Sequence, residues 1–261
     1  MTQEIFKALS ELQDKQLSAA LCTIIHAQGS TPRQVGSKML VFPDGSYVGS
    51  VGGGEMEARV IAEAKQALID GKPRKLEYRL SDPQRGDPGV CGGQLEVFVD
   101  PILPRPAIVV VGGGHVGKAV AHLAFWLGFR VVVSDDRPEF CTPEAIPEGE
   151  AFFPGPLSEL PGKMEITPQT YFVLVTRGVQ VDVEALPALL RTPAGYIGVI
   201  GSRRRWETTQ GQLREVGVSE EQLKRVRSPI GLDIHAETPE EIAVSILAEI
   251  IRSHRGGKRA G

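Results

Sequence analysis

The chain is poor in cysteine, with three in 261 residues: Cys22, Cys91 and Cys141. An odd number without metal-ligand spacing argues against a disulfide framework and fits free thiols in a reducing compartment. Long apolar runs are missing as well. No stretch of about 18 consecutive apolar residues occurs, which excludes a transmembrane helix. The start, Met1-Thr-Gln-Glu-Ile, lacks the basic-then-apolar pattern of a secretory signal, so a cytoplasmic protein is expected. Neither sign of charge dominates. There are 29 basic residues against 32 acidic ones, a net charge of −3, which argues against nucleic acid or an anionic membrane as the main partner. G-x-S-x-G, the Walker loop and H-E-x-x-H are absent, so hydrolase and kinase readings have no support. There is no internal repeat.

What the chain has in quantity is glycine, 30 residues, placed where turns carry chemistry. Ile108-Val-Val-Val111 reads as a buried strand and runs into Gly112-Gly-Gly-His-Val-Gly117. Gly112, Gly114 and Gly117 fall at G-x-G-x-x-G spacing: one for a tight turn, one for close approach of a pyrophosphate, one for packing helix on strand. A helix over His115–Leu127 ends at Gly128, and a second strand, Phe129–Ser134, leads to Asp135, where an acid would hold a ribose 2′-hydroxyl. His115, inside this loop, either touches a ligand or only caps the helix. Strand–helix alternation continues with a strand over 171–176, a helix over 182–190, a strand over 195–200 and a helix from Arg203. The pattern predicts a C-terminal Rossmann-like, doubly wound parallel sheet. The last helix opens on the capping box Thr238-Pro-Glu-Glu241, with Ile242, Ile246 and Ile250 as its buried stripe.

Asp100-Pro-Ile-Leu-Pro-Arg-Pro106 holds three prolines in seven residues and marks the domain boundary. Ahead of it the chain reads as a small α+β domain: a helix over 4–13, strands over 19–26, 39–42 and 95–99, and a helix over 55–70 closed by Gly71. The expected organisation is an N-terminal domain over 1–100, a linker over 101–106, a Rossmann-like domain over 107–252 and a basic flexible tail over 253–261.

Four further segments could carry chemistry. Gly52-Gly-Gly54 leads straight into a helix and is either an anion cradle or a tight turn. Gly29–Gly36, with Arg33 and then Lys38, suits a phosphate or carboxylate, or is a solvated hairpin loop. Ser202 is a good N-cap for a helix whose first turn holds Arg203, Arg204 and Arg205 against the dipole, an arrangement eased by an anion or an acidic partner opposite. Cys91 sits in a glycine-rich turn near backbone N–H groups, an environment that lowers a thiol pKa and allows a reactive or metal-facing role.

Together these segments resemble the XdhC/CoxI family of accessory factors for xanthine dehydrogenase and related molybdenum hydroxylases, over nearly the whole chain. The likeness rests on Gly29-Ser-Thr-Pro-Arg33, Gly49-Ser-Val-Gly-Gly-Gly54 with Glu57, Cys91-Gly-Gly93, Gly112–Gly117, Asp135-Asp-Arg-Pro138, Tyr196–Ser202, Pro229-Ile-Gly-Leu-Asp233 and Glu237–Ala243. It implies a chaperone that binds the molybdenum–pterin cofactor transiently, supports exchange of a terminal oxo ligand for sulfido, and hands the cofactor on. The implied partners are an apo molybdenum hydroxylase such as xanthine dehydrogenase, a cysteine desulfurase as sulfur donor and, in a homodimer, a second copy. The expected cofactor contacts are Arg33, Lys38, Gly52, Gly53, Gly54, Gly112, Gly114, His115, Gly117, Asp135, Ser202 and Arg203, with Cys91 toward the metal and no catalytic residue. Two departures stand out. Glu55 replaces a cysteine that many relatives carry, and Val179-Gln-Val181 replaces a segment with histidine, so thiolate or imidazole roles there do not transfer. The competing readings are an NAD(P)-dependent oxidoreductase, which lacks a visible acid–base set here, and a nucleotide-sensing regulatory module.

Overall fold

The computed structural model describes residues 2–15, 17–79 and 92–254. They divide into two compact units, Met1–Pro104 and Arg105–Gly261.

The first unit contains α1 (Thr2–Lys15), β1 (Ala19–Gln28), β2 (Lys38–Val41), β3 (Tyr47–Gly49), α2 (Gly54–Asp70), β4 (Arg74–Arg79) and β5 (Gln94–Ile102). Its sheet is antiparallel in the order β3-β2-β1-β5-β4. The period-2 alternation of strands divides the core between its faces. Ala20, Cys22 and Ile24 of β1 join Met56, Val60, Ala64 and Leu68 of α2. Ala19 of β1 and Leu40 of β2 join Ile5 and Leu12 of α1. A register shift between Ile24 and His26 leaves Ile25 exposed. Gly71, at φ 67°, ends α2 by donating its N–H to Ala67. Strands β3 and β4 carry no clear sequence signal, the first being three residues long and the second alternating in burial with charged outward positions.

Strand β5 is longer than expected. Pro101 and Ile102 pair with Ala20 and Ala19, so they belong to the sheet and not to the linker. Proline is tolerated there because β4 stops pairing at Val99, leaving β5 with one neighbour.

The second unit contains β6 (Ala107–Val111), α3 (His115–Trp126), β7 (Arg130–Asp135), β8 (Ala151–Pro154), β9 (Thr170–Leu174), α4 (Val179–Leu189), β10 (Tyr196–Val199), α5 (Arg203–Glu215), α6 (Glu220–Leu223), β11 (Val226–Arg227) and α7 (Pro239–His254). All pairings are parallel, in the order β11-β10-β9-β6-β7-β8. This is the doubly wound arrangement expected from the sequence, with its switch point between β6 and β9. Strands β6, β9 and β10 are buried at every position because helices cover both faces. Ile108, Val110 and Val173 meet α3 and α7, while Val109, Phe172 and Leu174 meet α4 and α5. The capping box of α7 forms as expected: Thr238 Oγ1 accepts from the Glu241 amide at 3.2 Å, and Glu241 accepts from the Thr238 amide at 3.1 Å. Strands β8 and β11 and the one-turn α6 are additions to the sequence reading. Helix α7 runs through His254, so residues 253 and 254, expected in the tail, are helical, and residues 255–261 lie outside the described residues.

Candidate functional site

In the first unit, three of the segments singled out by sequence come together. The backbone of Gly93 passes so close beneath the Gly29–Arg33 loop that a Cβ there would stand 2.3 Å from the Ser30 carbonyl and 2.8 Å from Thr31 Cγ2. Arg33 Nε donates to Ser50 Oγ at 3.3 Å, tying that loop to the one entering α2. Ser50 in turn donates to Glu57 Oε1 at 2.6 Å, and the Gly52 amide donates to the same carboxylate at 3.3 Å. The expected cradle at Gly52–Gly54 is therefore partly filled by the protein's own Glu57. Glu55 adds a second carboxylate to this first turn and pairs with Arg59. Two acids at the positive end of a helix satisfy the dipole and weaken its call for an external anion. Gly53 and Gly54 nonetheless face open space, Gly54 at φ 56°. Lys38 lies on the sheet, its Nζ 3.5 Å from Thr23 Oγ1, and no hydrogen bond joins it to Arg33 among the described residues. Cys91 lies outside the described residues. The thiols of Cys22 and Cys141 are buried, and burial pushes the first up to about 12, so it is inert packing.

In the second unit, the loops after β6, β7, β9, β10 and β11 gather at the carboxyl edge of the sheet, where ligands of such folds bind. The glycine motif has its expected geometry. Gly112 stands at φ 107° beside the Val175 carbonyl, and a Cβ on Gly117 would fall 1.9 Å from the Gly112 carbonyl. Gly114, the N-cap of α3, opens onto free space.

Asp135 is placed differently from expectation. It is buried, and four donors fill its carboxylate: the Gly113 amide at 2.8 Å, and the amide, Nε and Nη2 of Arg137 at 2.9, 3.0 and 2.9 Å. A carboxylate so saturated holds its own loop and has no acceptor capacity left for a ribose. Arg137 also lies over the Phe140 ring, 4.0 Å from its centroid. Next to it, Asp136 forms a bidentate pair with Arg177, both bonds at 2.6 Å. Since β6 lies between β7 and β9, this pair spans the switch point over Gly112. The water-accessible space among Gly112, Asp135, Asp136, Thr176 and Arg177 is small, about 30 Å³. The Arg177 guanidinium holds the Asp136 carboxyl below the usual carboxylate range.

His115 is exposed and does not face this crevice. It lines a separate groove of about 570 Å³ with Lys118 and His122 of α3 and Pro239 and Val244 of α7.

The arginine turn divides by function. Ser202 caps α5, accepting from the Arg205 amide at 3.2 Å. Arg205 points inward: Nη2 donates to Asp182 Oδ2 at 2.7 Å and to Thr176 Oγ1 at 2.9 Å. Burial pushes the Asp182 carboxyl up, while hydrogen bonds from Thr176 and Arg205 pull it down. This buried pair ties the loop after β9 to α5. Nothing local in the sequence announces it, because its members stand 23 residues apart. Arg203 and Arg204 are exposed and make no ion pair among the described residues.

Beside Arg203 lies a cavity of about 460 Å³, bounded by Ile200, Gly201 and the loop Pro229–Ala236, with Ile242 and Ser245 of α7 behind it. That loop is anchored from beneath. The Gly231 amide donates to Glu249 at 2.9 Å, Glu249 accepts from Tyr196 at 2.6 Å, and Ser245 Oγ donates to the Leu232 carbonyl at 2.6 Å. His235 sits at φ 56°, the one positive-φ residue other than glycine among the described residues. Such strain persists only where surrounding structure imposes it, and it gathers at ligand sites. The sequence reading singled out Pro229–Asp233 only through the family resemblance, because no composition or spacing rule marks it.

Comparison with known proteins agrees with this layout. The XdhC Rossmann domain family model matches residues 108–250, and the XdhC and CoxI family model matches residues 12–79. The "Uncharacterized protein YqeB" of Escherichia coli K12 is 38% identical over 257 residues, covering 95% of this chain and 46% of that protein. A probable xanthine dehydrogenase subunit from Bacillus subtilis 168 is 31% identical over 159 residues, covering 61% of this chain and 46% of that protein. The chain thus spans about half the length of each of these two relatives. "Molybdenum cofactor insertion chaperone PaoD" of Escherichia coli K12 is 24% identical over 268 residues, covering 91% of this chain and 84% of that protein. Among solved structures, a Bacillus halodurans protein described as a xanthine dehydrogenase shares the fold, with TM-score 0.52, 24% identity and coverage of 98% of this chain and 97% of that one.

Proposed function

The chain belongs to the XdhC and CoxI family, and from that premise we propose that it is a molybdenum cofactor-binding chaperone. It supports sulfuration of the cofactor and its insertion into a xanthine dehydrogenase-type molybdenum hydroxylase, in the cytoplasm and with a cysteine desulfurase as sulfur donor. One relative that aligns with 91% of the chain carries the name of a molybdenum cofactor insertion chaperone. The observation that carries the reading lies at one sheet edge, where side chains leave about 30 Å³ of water-accessible space beside Gly112 while a cavity of about 460 Å³ stands open beside the exposed Arg203. A protein working through NAD(P) needs the first to be open. One that carries a different phosphorylated cargo does not.

The open backbone at Gly53–Gly54, in the loop that Arg33 joins through Ser50, offers an anion contact within the first unit, weakened by Glu55 and Glu57. The Cys91 thiol is the soft ligand proposed for the metal end of the cargo.

The test is reconstitution of an apo molybdenum hydroxylase with cofactor, cysteine desulfurase and cysteine, with and without this protein. The expected result is a higher yield of active, sulfurated enzyme. No gain overturns the proposal. Gain that survives Cys91→Ser retains the chaperone and removes the thiol's part.

A further inference from the structure

We infer that the cavity beside Arg203 is a binding site for a phosphorylated bicyclic heterocycle with a 2-amino-4-oxopyrimidine ring, the ring shared by pterins and guanine. This rests on the cofactor reading for the kind of cargo and on the cavity for its location. At about 460 Å³, the cavity lies within the roughly 300–1,000 Å³ of small-molecule sites. Its walls are suited to a flat ring: Ile200, Ile230 and Ile242 line it, and a Cβ on Gly198, on the strand beneath, would collide with Ile230 Cδ1 at 2.4 Å. Ile230 is thus seated firmly on β10.

Two charged groups line the same space without being taken up by the fold. Arg203 has no ion-pair partner among the described residues, in contrast to Arg205 two positions on. A guanidinium so placed at the edge of a cavity is a phosphate ligand by chemistry. Among the described residues Asp233 accepts no side-chain hydrogen bond, and its ion-pair partner is His235 Nδ1 at 3.6 Å. A carboxylate accepts two parallel bonds from the adjacent ring N–H and exocyclic amine of a 2-amino-4-oxopyrimidine. Adenine and nicotinamide present no such ring N–H beside an amine, so Asp233 selects the ring while Arg203 takes the phosphate.

The experiment is calorimetric titration of the full chain with dihydroneopterin phosphate, guanosine 5′-monophosphate, inorganic phosphate and NADH. One or both of the first two are expected to bind at least tenfold more tightly than inorganic phosphate or NADH. Whichever binds more tightly identifies the source of the ring. Arg203→Ala should weaken that binding about 10- to 100-fold, the scale of a lost charged hydrogen bond. Ala236→Trp, which places an indole in the cavity, should abolish it with an unchanged circular dichroism spectrum. Asp233→Asn should narrow the preference over inorganic phosphate. Arg177→Ala, in the closed crevice, should leave binding unchanged. Binding of neither ring compound, or binding that survives both Arg203→Ala and Ala236→Trp, overturns the inference. The chaperone reading fails separately, when reconstitution shows no gain although this binding is present.

Discussion

Two openings at the same sheet edge contrast sharply. The crevice above β6 has every sequence mark of a dinucleotide site: three spaced glycines, a helix N-terminus and an acid at the end of the next strand. Yet its water-accessible space is small, about 30 Å³, where Asp135 is saturated by its own loop and Asp136 is paired with Arg177. The cavity beyond β10 has no such motif and is fifteen-fold larger, at about 460 against 30 Å³. A motif reports how backbone turns and packs. Whether a ligand enters depends on where the side chains next to it find their partners.

The largest expected effect comes from the pair Asp182–Arg205, which ties the loop after β9 to α5. Asp182→Ala leaves the Arg205 guanidinium, 23% exposed, without its carboxylate. The cost should be about 3 kcal/mol, the low end for a broken buried pair because Arg205 can be partly rehydrated. Chemical denaturation measures it, and a loss under about 1 kcal/mol would mean the pair does not hold the edge together.

The glycines should separate packing from ligand approach. Gly117→Ala drives a Cβ into the Gly112 carbonyl and should cost about 2–3 kcal/mol. Gly114→Ala meets open space at a capping position and should cost no more than about 1 kcal/mol. Equal thermal shifts in the two variants would contradict the geometry.

Asp135→Asn should show in stability and not in affinity for any ligand. Its lost charged bonds to Gly113 and Arg137 predict about 1–2 kcal/mol of destabilisation. A drop in ligand affinity with unchanged stability would restore Asp135 to a ribose.

The smallest effect is electrostatic. The hydrogen bond from Arg177 lowers the Asp136 pKa in the folded protein. The contribution of the pair is therefore present above about pH 4, the ordinary aspartate value, and is lost as pH falls through the lowered folded value. Carboxylate NMR should place the Asp136 midpoint below that value, and Arg177→Ala should return it there. An unchanged midpoint in the variant would show that the pair does not form in solution.

Much of the fold could be read in advance because its signals are local. Ile108–Val111 is apolar at every position, Gly71 and Gly128 end helices, and Thr238 with Glu241 caps one. Strands β3, β8 and β11 escaped because two to four residues are too few to display a period. The candidate site was legible only in part. Gly112, Gly114 and Gly117 are backbone requirements, visible as spacing. The capture of Asp135 by Arg137, of Asp182 by Arg205 and of Gly52 by Glu57 consists of side-chain choices made in three dimensions. The same holds for the anchoring by Glu249 of Gly231, which lines the open cavity.

The most direct measurement is the small-molecule and metal content of this protein purified from molybdenum-replete cells, by mass spectrometry and elemental analysis. A phosphorylated pterin accompanied by molybdenum, and reduced together with it by Arg203→Ala, is the expected result. NAD(P) in its place, or pterin and molybdenum both absent, would contradict a cargo-carrying role.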